Sequence, residues 1–326
     1  MDDQNNAGLV FAFVLDGKGG GTAMDLESIR KWTPAAGTLW VHLDYKEDDA
    51  KEWLLNESGV DPIIGEALTA EETRPRNMLH DGGMLLILRG VNLNPGMDPE
   101  DMVSIRFWLD ANRIITLRHR RVMAIDDLRQ AVMSGSGPVS SGGFLEELCD
   151  RLVLRMGGII SDIDDSVDAL EDEILTEQSY EMRQKIADIR RTAIGLRRYL
   201  APQRDVMARL HSEKVNWLDE AERMRLREIA DRTTRYVEDL DAIRDRATVT
   251  QEELNNRLAE QMNKTMYVLS IVAGIFLPLG LLTGLLGINV GGIPGTENPL
   301  AFTLICILLI VMAGGLVWLF RRMKWM

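Results

Sequence analysis

The chain has 326 residues, a formal net charge of −13 and a hydrophobic content of 46%. An acidic balance of this size argues against nucleic acid as a partner, because phosphates attract basic surfaces, and it favours interaction with cations. Two cysteines, Cys149 and Cys306, are too few for a disulfide framework and fit a reducing compartment.

Strand-like runs and amphipathic segments alternate from the beginning of the chain to about residue 120. This β-rich region begins with LVFAFVLDGKGGG, and we predict strands in TLWVHLDY, GMLLILRGVNL, MVSIRFWLD and RIITLR, which are separated by turn signals such as NPG and DAN. DDAKEWLLNES and PIIGEALTAEE have the pattern of helices. The mixture predicts an α/β cytoplasmic domain over residues 1–142, with one sheet packed by helices, and the linker SGSGPVSSGG marks its end.

Only helix signals follow the linker, so residues 143–264 are predicted to form a helical region. Two helices, at roughly 143–178 and 180–210, precede a long stalk helix that starts near Trp217 and runs to Leu286. The stalk carries an apolar seam at spacings of three and four, which needs partners in the same chain or in other subunits. Its members are Leu226, Ile229, Thr233, Tyr236, Leu240, Ile243 and Ala247.

The first of these helices holds eight acidic and no basic residues over positions 162–177. Three interpretations remain open for this segment. It forms a solvated face, it pairs with the arginine-rich second helix, or it binds divalent cations, although its spacing matches no EF-hand loop.

Two uncharged apolar blocks, residues 266–286 and 300–320, lie near the end of the chain. Each is long enough to cross a hydrocarbon core of about 30 Å as a helix. We therefore predict a transmembrane domain over residues 265–326, with an outer loop at 287–299.

The flanks of the two spans set their orientation. Glu297 is the only charged residue of the loop, whereas Arg321, Arg322 and Lys324 follow the second span. Because basic residues stay on the cytoplasmic side, both termini are predicted to be cytoplasmic in a multi-pass protein of the lipid bilayer.

A second stripe of small or weakly polar residues runs along the first span and the end of the stalk. Its members are Glu252, Asn255, Ala259, Asn263, Met266, Ala273, Leu277, Gly280 and Gly284. Such a stripe allows close packing of helices, or it lines a narrow pore when copies are arranged around an axis. The spacing leaves both interpretations open. Asn289, just beyond the span, favours the pore, because a ring of amide oxygens can hold the water shell of a cation.

Gly287, Ile288 and Asn289 closely resemble the Gly-Met-Asn signature that ends the first span of CorA-type metal transporters. The short loop, the second span and the basic tail RRMKWM complete the likeness. VFAFVLDGKGG, WVHLDY, ETRPR and RRYLAPQRDV are more similar to the ZntB-like zinc-transport branch than to the magnesium branch. Ile288 replaces methionine, and IPG stands where many magnesium transporters have Met-Pro-Glu, which removes an acidic residue from the mouth.

This resemblance implies a homopentameric funnel in the cell inner membrane, with an α/β cytoplasmic domain, an all-α stalk and two C-terminal transmembrane helices. It also implies zinc uptake, with Gly287, Ile288 and Asn289 as the filter and Glu297 at the outer mouth. Magnesium, cobalt and nickel are the alternative ions within the family. A two-span receptor with a cytoplasmic effector domain is the alternative from another class, but the loop is too short to fold into a sensor.

The chemistry of the spans favours a hydrated ion. Direct zinc coordination uses cysteine or histidine, and the spans contain only Cys306 of these residues. The four histidines, which we predict to be structural, are His42, His80, His119 and His211. Hydrated zinc and magnesium look alike to an amide filter, so the preference for zinc comes from the resemblance.

No catalytic motif is found, since GKGGGT lacks the P-loop spacing, and no resident cofactor is expected. The zinc branch is thought to couple uptake to protons, yet neither span contains an Asp, Glu, His, Lys or Arg. Coupling would then use Glu297, Glu252 or protons on the hydrated ion. Glu252 is the better relay candidate, because a ring of close carboxylates raises their pKa values.

Overall fold

The computed structural model describes residues 8–71, 74–176, 180–288, 295 and 298–323. The chain divides into two compact units, Met1–Gln251 and Glu252–Met326. The first unit combines one β-sheet with helices, and the second consists of the end of one long helix and a further apolar helix.

One sheet of seven strands forms the centre of the first unit, in the order β2-β1-β3-β7-β6-β5-β4. The strands are β1 (Leu9–Leu15), β2 (Gly21–Ala23), β3 (Thr38–Asp44), β4 (Arg76–His80), β5 (Gly83–Gly90), β6 (Val103–Leu109) and β7 (Arg113–Arg118). β3 and β7 are parallel, and the other neighbouring strands are antiparallel. The four predicted strands are confirmed as β3, β5, β6 and β7, and the start of the β-rich region forms β1. The two edge strands β2 and β4 were not predicted, because their residues are largely exposed and lack an apolar pattern.

Helices cover both faces of the sheet, as the predicted α/β class requires. Helices α1 (Leu26–Lys31), α2 (Asp48–Asn56) and α3 (Pro62–Thr69) pack on one face, around Val41, Leu85 and Ile115. Helices α4 (Met123–Ser134), α5 (Ser141–Thr176), α6 (Tyr180–Leu210) and the start of α7 (Glu220–Leu286) pack on the other face, around Trp40, Phe107 and Phe144.

The glycines of GKGGGT permit a close approach of two loops. Gly19 has a φ of 102°, and a Cβ at this position would lie 2.7 Å from the carbonyl oxygen of Gly135. The Gly19 carbonyl in turn accepts a hydrogen bond from the backbone N–H of Gly137, at 2.7 Å. The glycine run therefore serves the contact between the β1–β2 turn and the linker that follows α4.

A capping box sets the start of α7, three residues after the predicted position at Trp217. The Glu222 N–H donates to Asp219 Oδ1 at 2.7 Å, and the Asp219 N–H donates to Glu222 Oε2 at 2.8 Å. The Trp217 indole N–H instead donates to the Gly82 carbonyl at 2.9 Å. From Glu220 the helix continues for 67 residues.

The predicted seam of α7 is buried by the same chain. Leu226 and Ile229 pack in the cluster that contains Phe144 and Leu148 of α5. Leu240 and Ile243 join a further cluster with residues of α5 and α6, including Ile160 and Leu196. The seam therefore finds its partners within the protomer, and it does not require other subunits.

The acidic segment of α5 pairs mainly with α7. The Arg246 guanidinium donates to Asp164 at 2.8 Å, to Asp168, and to both carboxylate oxygens of Glu171 at 3.1 and 2.8 Å. These hydrogen bonds raise the pKa of Arg246 above its ordinary value. A weaker contact, Lys185 Nζ to Glu173 Oε2 at 3.5 Å, links α5 to α6. The expected pairing of acidic and basic helices occurs, but the chief basic partner lies on α7.

The second unit is an antiparallel pair of apolar helices, the end of α7 and α8 (Ala301–Arg322). Both helices are long and apolar enough to cross a membrane, and no part of either apolar window is buried within the chain. Gly274 allows their close approach, since a Cβ there would lie 2.8 Å from Cζ of Phe320.

His42 belongs to a buried hydrogen-bond network on β3. The Thr116 hydroxyl donates to the Val41 carbonyl at 3.1 Å and accepts from the Trp40 indole N–H at 3.0 Å. Nδ1 of His42 lies 2.8 Å from the same hydroxyl oxygen, within hydrogen-bond distance. Burial, with a smaller contribution from Arg118, lowers the pKa of His42 to about 3.

The low pKa of His42 predicts a loss of stability in acid. The unfolded chain binds a proton at this residue below its ordinary pKa of 6.5, whereas the folded chain binds it only near 3, so stability falls as pH drops through this window. Between pH 7.5 and 5.0 the loss is about 2 kcal/mol. In thermal melts of the full-length protein, His42→Asn should show a smaller decrease over this range than wild type. Equal decreases would contradict the low pKa of His42.

The close contact between Gly274 and Phe320 can be tested by substitution. A single methyl could be accommodated by rotation of the Phe320 ring, so we choose Gly274→Leu, which should destabilise the pair by about 1–3 kcal/mol through overpacking. The measurement is thermal stability in detergent. Phe320→Ala, combined with Gly274→Leu, should recover most of the loss. A double variant as unstable as Gly274→Leu alone would exclude this contact as the cause.

Candidate ion-conduction site on helix α7

The apolar part of α7 satisfies its own polar groups. Hydroxyl groups of three residues donate to carbonyls one turn earlier: Thr265 to Gln261 at 3.0 Å, Ser270 to Met266 at 2.8 Å and Thr283 to Leu279 at 3.1 Å. Such bonds remove the cost of placing a hydroxyl in lipid. The helix also continues through Pro278, although proline has no N–H to donate to the carbonyl of Gly274.

Helix α8 covers one side of this part of α7. Apart from Ala273, the half-buried positions in this part of α7 recur at helical spacing and are Ile271, Gly274, Ile275, Pro278, Leu279 and Leu282. The half-buried positions of α8 recur in the same way and include Ile305, Leu309, Met312, Leu316 and Phe320. The two helices therefore face each other along these rows.

The predicted pore stripe lies on the opposite side of α7. Each residue advances by about 100° around the helix axis, which places the mean direction of the stripe roughly 150° from that of the covered row. Within the protomer the stripe is open: Ala273 is half-buried, and the exposed members are Glu252, Asn255, Ala259, Asn263, Met266, Leu277, Gly280 and Gly284. A Cβ at Gly280 or Gly284 would meet nothing within 4 Å.

Ser270 belongs to this stripe but was missed in the sequence. It falls between Met266 and Ala273, where the spacing of seven residues leaves room for one more member, and it is exposed. The regular repeat alone could have identified it. The stripe is therefore continuous from Asn263 to Gly284, with one hydroxyl in its middle.

Helix α7 ends at the predicted filter. The Gly287 N–H donates to the carbonyls of Thr283 at 2.9 Å and Gly284 at 3.2 Å. Gly287 is not among the glycines with positive φ. The backbone conformation of Gly287 therefore does not by itself require glycine. A Cβ at this position would lie 3.0 Å from the Thr283 carbonyl oxygen, which is a tight contact. Ile288 is 50% exposed.

Two predicted residues, Asn289 and Glu297, lie outside the described residues. The last described member of the filter is thus Ile288, and the role of the asparagine stays a prediction. The same holds for the acidic residue at the outer mouth.

The polar end of the stripe carries one carboxylate. Glu252 is exposed on the stripe, whereas its neighbour Glu253 accepts two hydrogen bonds from Arg257 at 2.9 and 2.7 Å. The two adjacent glutamates therefore differ: Glu253 has a basic partner one turn away, and Glu252 is on the face that the proposed pore would use.

The described members of the stripe include no cysteine or histidine. Cys306 is a free, half-buried cysteine on α8, and burial raises the pKa of Cys149 in the first unit. His42 is a core residue, as expected. His80 Nε2 lies 3.0 Å from Asp61 Oδ2, and with Asp81 these side chains place three possible ligand atoms within 4.8 Å of one another. Asp61 also caps α3, so its hydrogen bond with His80 has a structural role.

The chain matches the family described as "CorA-like Mg2+ transporter protein" over residues 35–322. It is 38% identical to the zinc transport protein ZntB of Yersinia pseudotuberculosis over 317 residues, which covers 97% of this chain and 96% of that protein. It is 41% identical to the divalent cation transporter CmaX of Pseudomonas aeruginosa over 323 residues, or 98% of this chain and 97% of that protein.

Solved structures have the same fold. The structure of the full-length CmaX protein superposes with a TM-score of 0.86 at 39% identity, and covers 99% of this chain and 100% of that one. The CorA magnesium transporter of Methanocaldococcus jannaschii superposes with a TM-score of 0.80 at 20% identity, over 97% of this chain and 99% of that one, which indicates the shared fold. The family match, the relatives and the solved structures agree, and the chain therefore belongs to the CorA family of membrane metal-ion transporters.

Proposed function

We propose that the chain assembles as a homopentamer around the stripe of α7 and conducts hydrated divalent cations, with zinc as the physiological ion. The observation that carries this proposal is the position of the stripe on the side of α7 turned away from α8. A row that is free of a large packed partner in the protomer, small at Gly280 and Gly284, suits the axis of a ring of copies.

The membrane part of the chain supports the assembly better than the stalk does. The seam from Leu226 to Ala247 is already buried within the protomer. The stripe from Met266 to Gly284 keeps its exposed side in the same protomer. Five copies would cover this side and enclose a water-filled path between them.

The chemistry of the stripe supports transport of an ion that keeps its water shell. The described stripe offers backbone carbonyls, the Ser270 hydroxyl and the amide groups of Asn255 and Asn263, but no thiolate or imidazole. Zinc bound directly prefers sulfur and nitrogen ligands. Asn289 would complete the filter with Gly287 and Ile288, and Glu297 would concentrate cations at the mouth.

Zinc is chosen over magnesium because of the relatives. The proteins named for zinc transport are 35–38% identical over nearly the whole chain, whereas the family description names magnesium. The basic residues Arg321 and Arg322 at the end of α8 support an inner-membrane orientation with both termini in the cytoplasm.

The proposal predicts that a larger side chain in the stripe blocks conduction. Gly280→Leu should reduce zinc uptake by proteoliposomes to the level of empty liposomes, because five leucines would narrow the path. The matched control is Gly315→Leu on α8, where a Cβ also meets nothing within 4 Å in the protomer and uptake should stay near wild type. The same assay with magnesium, cobalt and nickel ranks the ions.

Asn289→Ala, measured alongside, tests the filter separately from the stripe. It should abolish divalent uptake while the oligomer remains intact by light scattering. Wild-type zinc flux in Gly280→Leu would overturn the pore stripe, and wild-type flux in Asn289→Ala would overturn the filter. If the wild-type protein carries a larger magnesium flux than zinc flux, magnesium replaces zinc as the proposed ion.

Proton coupling, if it operates, is proposed to use Glu252. In a pentamer its carboxylates would form a ring on the pore side, and mutual repulsion would favour proton uptake. We expect Glu252→Gln to weaken the response of zinc uptake to an imposed pH gradient while zinc permeation remains measurable. Glu253→Gln, which removes the neighbouring partner of Arg257, is the control and should keep the full response. A full response in Glu252→Gln would exclude this residue as the relay.

A further inference from the structure

A polar cavity lies at the carboxyl ends of the parallel strands β3 and β7. Its volume is about 190 Å³. The crevice beyond the carboxyl ends of adjacent parallel strands is a common place for ligands in α/β proteins. The polar residues that matter for its chemistry are Tyr45, Arg89, Ser104, Arg106, His119 and Arg120.

Arg106 brings a buried charge to this cavity. The residue is 2% exposed, and its guanidinium donates to the main-chain carbonyls of Leu68, Ala70 and Glu71, at 2.9, 2.6 and 3.3 Å. Its Cζ lies 4.3 Å from the centre of the Tyr45 ring. In the part of the chain that the structure describes, Nε of Arg106 has no hydrogen-bond partner, and no carboxylate lies within salt-bridge distance of the guanidinium.

A buried guanidinium of this kind has a physical cost. Arginine cannot escape the cost by losing its proton, and carbonyl dipoles solvate the charge without neutralising it. Burial lowers the pKa of Arg106 below its ordinary value, and the charge of Arg89 lowers it further. An anion in the cavity would offset this cost.

Arg89 adds a second cation on the same face of the sheet. In the β5–β6 ladder Arg89 pairs with Ser104, and Ile87 pairs with Arg106, so the four side chains share one face. The Arg89 guanidinium donates to the Met102 carbonyl at 3.0 Å. Two arginines thus lie on adjacent strands, in cross-strand pairs that are two residues apart along the ladder. The unit that contains them has an acidic overall charge.

Two acids, Glu71 and Asp101, also line the cavity, against the three arginines Arg89, Arg106 and Arg120. Asp101 is paired with Arg120, whose guanidinium lies 2.7 Å from its carboxylate, so this acid is already engaged. His119 stacks near Tyr45, with ring centroids 5.7 Å apart. Burial lowers the pKa of His119, and the charges of Lys46 and Arg120 lower it further, as expected next to a cluster of cations.

We propose that this cavity binds an oxyanion of phosphate size through Arg89 and Arg106. The planar fork of arginine matches phosphate oxygens, and hydroxyl groups from serine and tyrosine are further donors of the kind that phosphate accepts. A cavity of about 190 Å³ has room for a phosphate group.

The test is calorimetric titration of the full-length protein in detergent with inorganic phosphate, at constant ionic strength set by chloride. We expect saturable binding of one phosphate per chain. Arg89→Gln should weaken it by about tenfold or more, since a charge-assisted pair is lost. Arg121→Gln removes the same charge from an arginine outside the cavity, paired with Asp126, and should bind phosphate like wild type.

A second variant keeps the test independent of any folding defect in Arg89→Gln. Ser104→Asp places a carboxylate beside Arg89 and Arg106, where the anion would be bound. It should raise the melting temperature in phosphate-free buffer and remove the phosphate response, whereas Ser104→Asn, of similar size and neutral, should do neither.

Adenosine monophosphate distinguishes the source of the phosphate group. Binding at least as tight as that of inorganic phosphate would indicate the phosphate of a larger metabolite that projects from the cavity. Much weaker binding would indicate the free ion. No saturable binding of either compound, or a Ser104→Asp variant less stable than Ser104→Asn, would overturn the proposal.

Discussion

Helix α7 must satisfy two solvents with one continuous backbone, and the other features of the chain follow from this constraint. In the first unit the helix carries a buried seam and charged residues such as Arg246, so its stability comes from packing and ion pairs. In the second unit it carries no charge over the apolar span, and its hydroxyls bond to their own helix. A charge in the second part, or an unpaired polar group, would be expensive in lipid.

Specific salt bridges neutralise part of the acidic charge of the chain. Asp164, Asp168 and Glu171 on α5 converge on one guanidinium, that of Arg246, which takes the place that a divalent ion could hold in such a cluster. The acidic helix is therefore a structural partner of the stalk. The opposite situation occurs at Arg106, where a cation is buried among carbonyl groups, and there an exogenous anion is the natural complement.

The same helix separates two kinds of contact. Its seam in the first unit faces α5 and α6 of its own chain, and the row around Gly274 faces α8. The stripe through Gly280 and Gly284 is left for contacts between protomers or for water. In the proposed pentamer, assembly would therefore depend on the membrane helix, and substitutions there should affect transport before they affect the fold of the first unit.

The sequence by itself determined the class of fold, the two spans and the phase of α7. These features depend on periodicity and on runs of apolar residues, which are local, and the seam and the stripe could be read at spacings of three and four. The α/β domain was predicted for the same reason: Val41, Leu85 and Ile115 lie in strands whose composition identifies them without their neighbours.

Only the tertiary structure decided which partner each surface has. The edge strands β2 and β4 form because neighbouring strands offer hydrogen bonds, although their own residues are mostly exposed. The acidic residues of α5 pair with Arg246 rather than with an arginine of α6, because Arg246 lies on the side of α7 that faces α5. The arginine cavity unites residues as distant in sequence as Tyr45 and His119, because β3 and β7 are adjacent and parallel. Such pairings depend on contacts between residues far apart along the chain, which local composition does not encode.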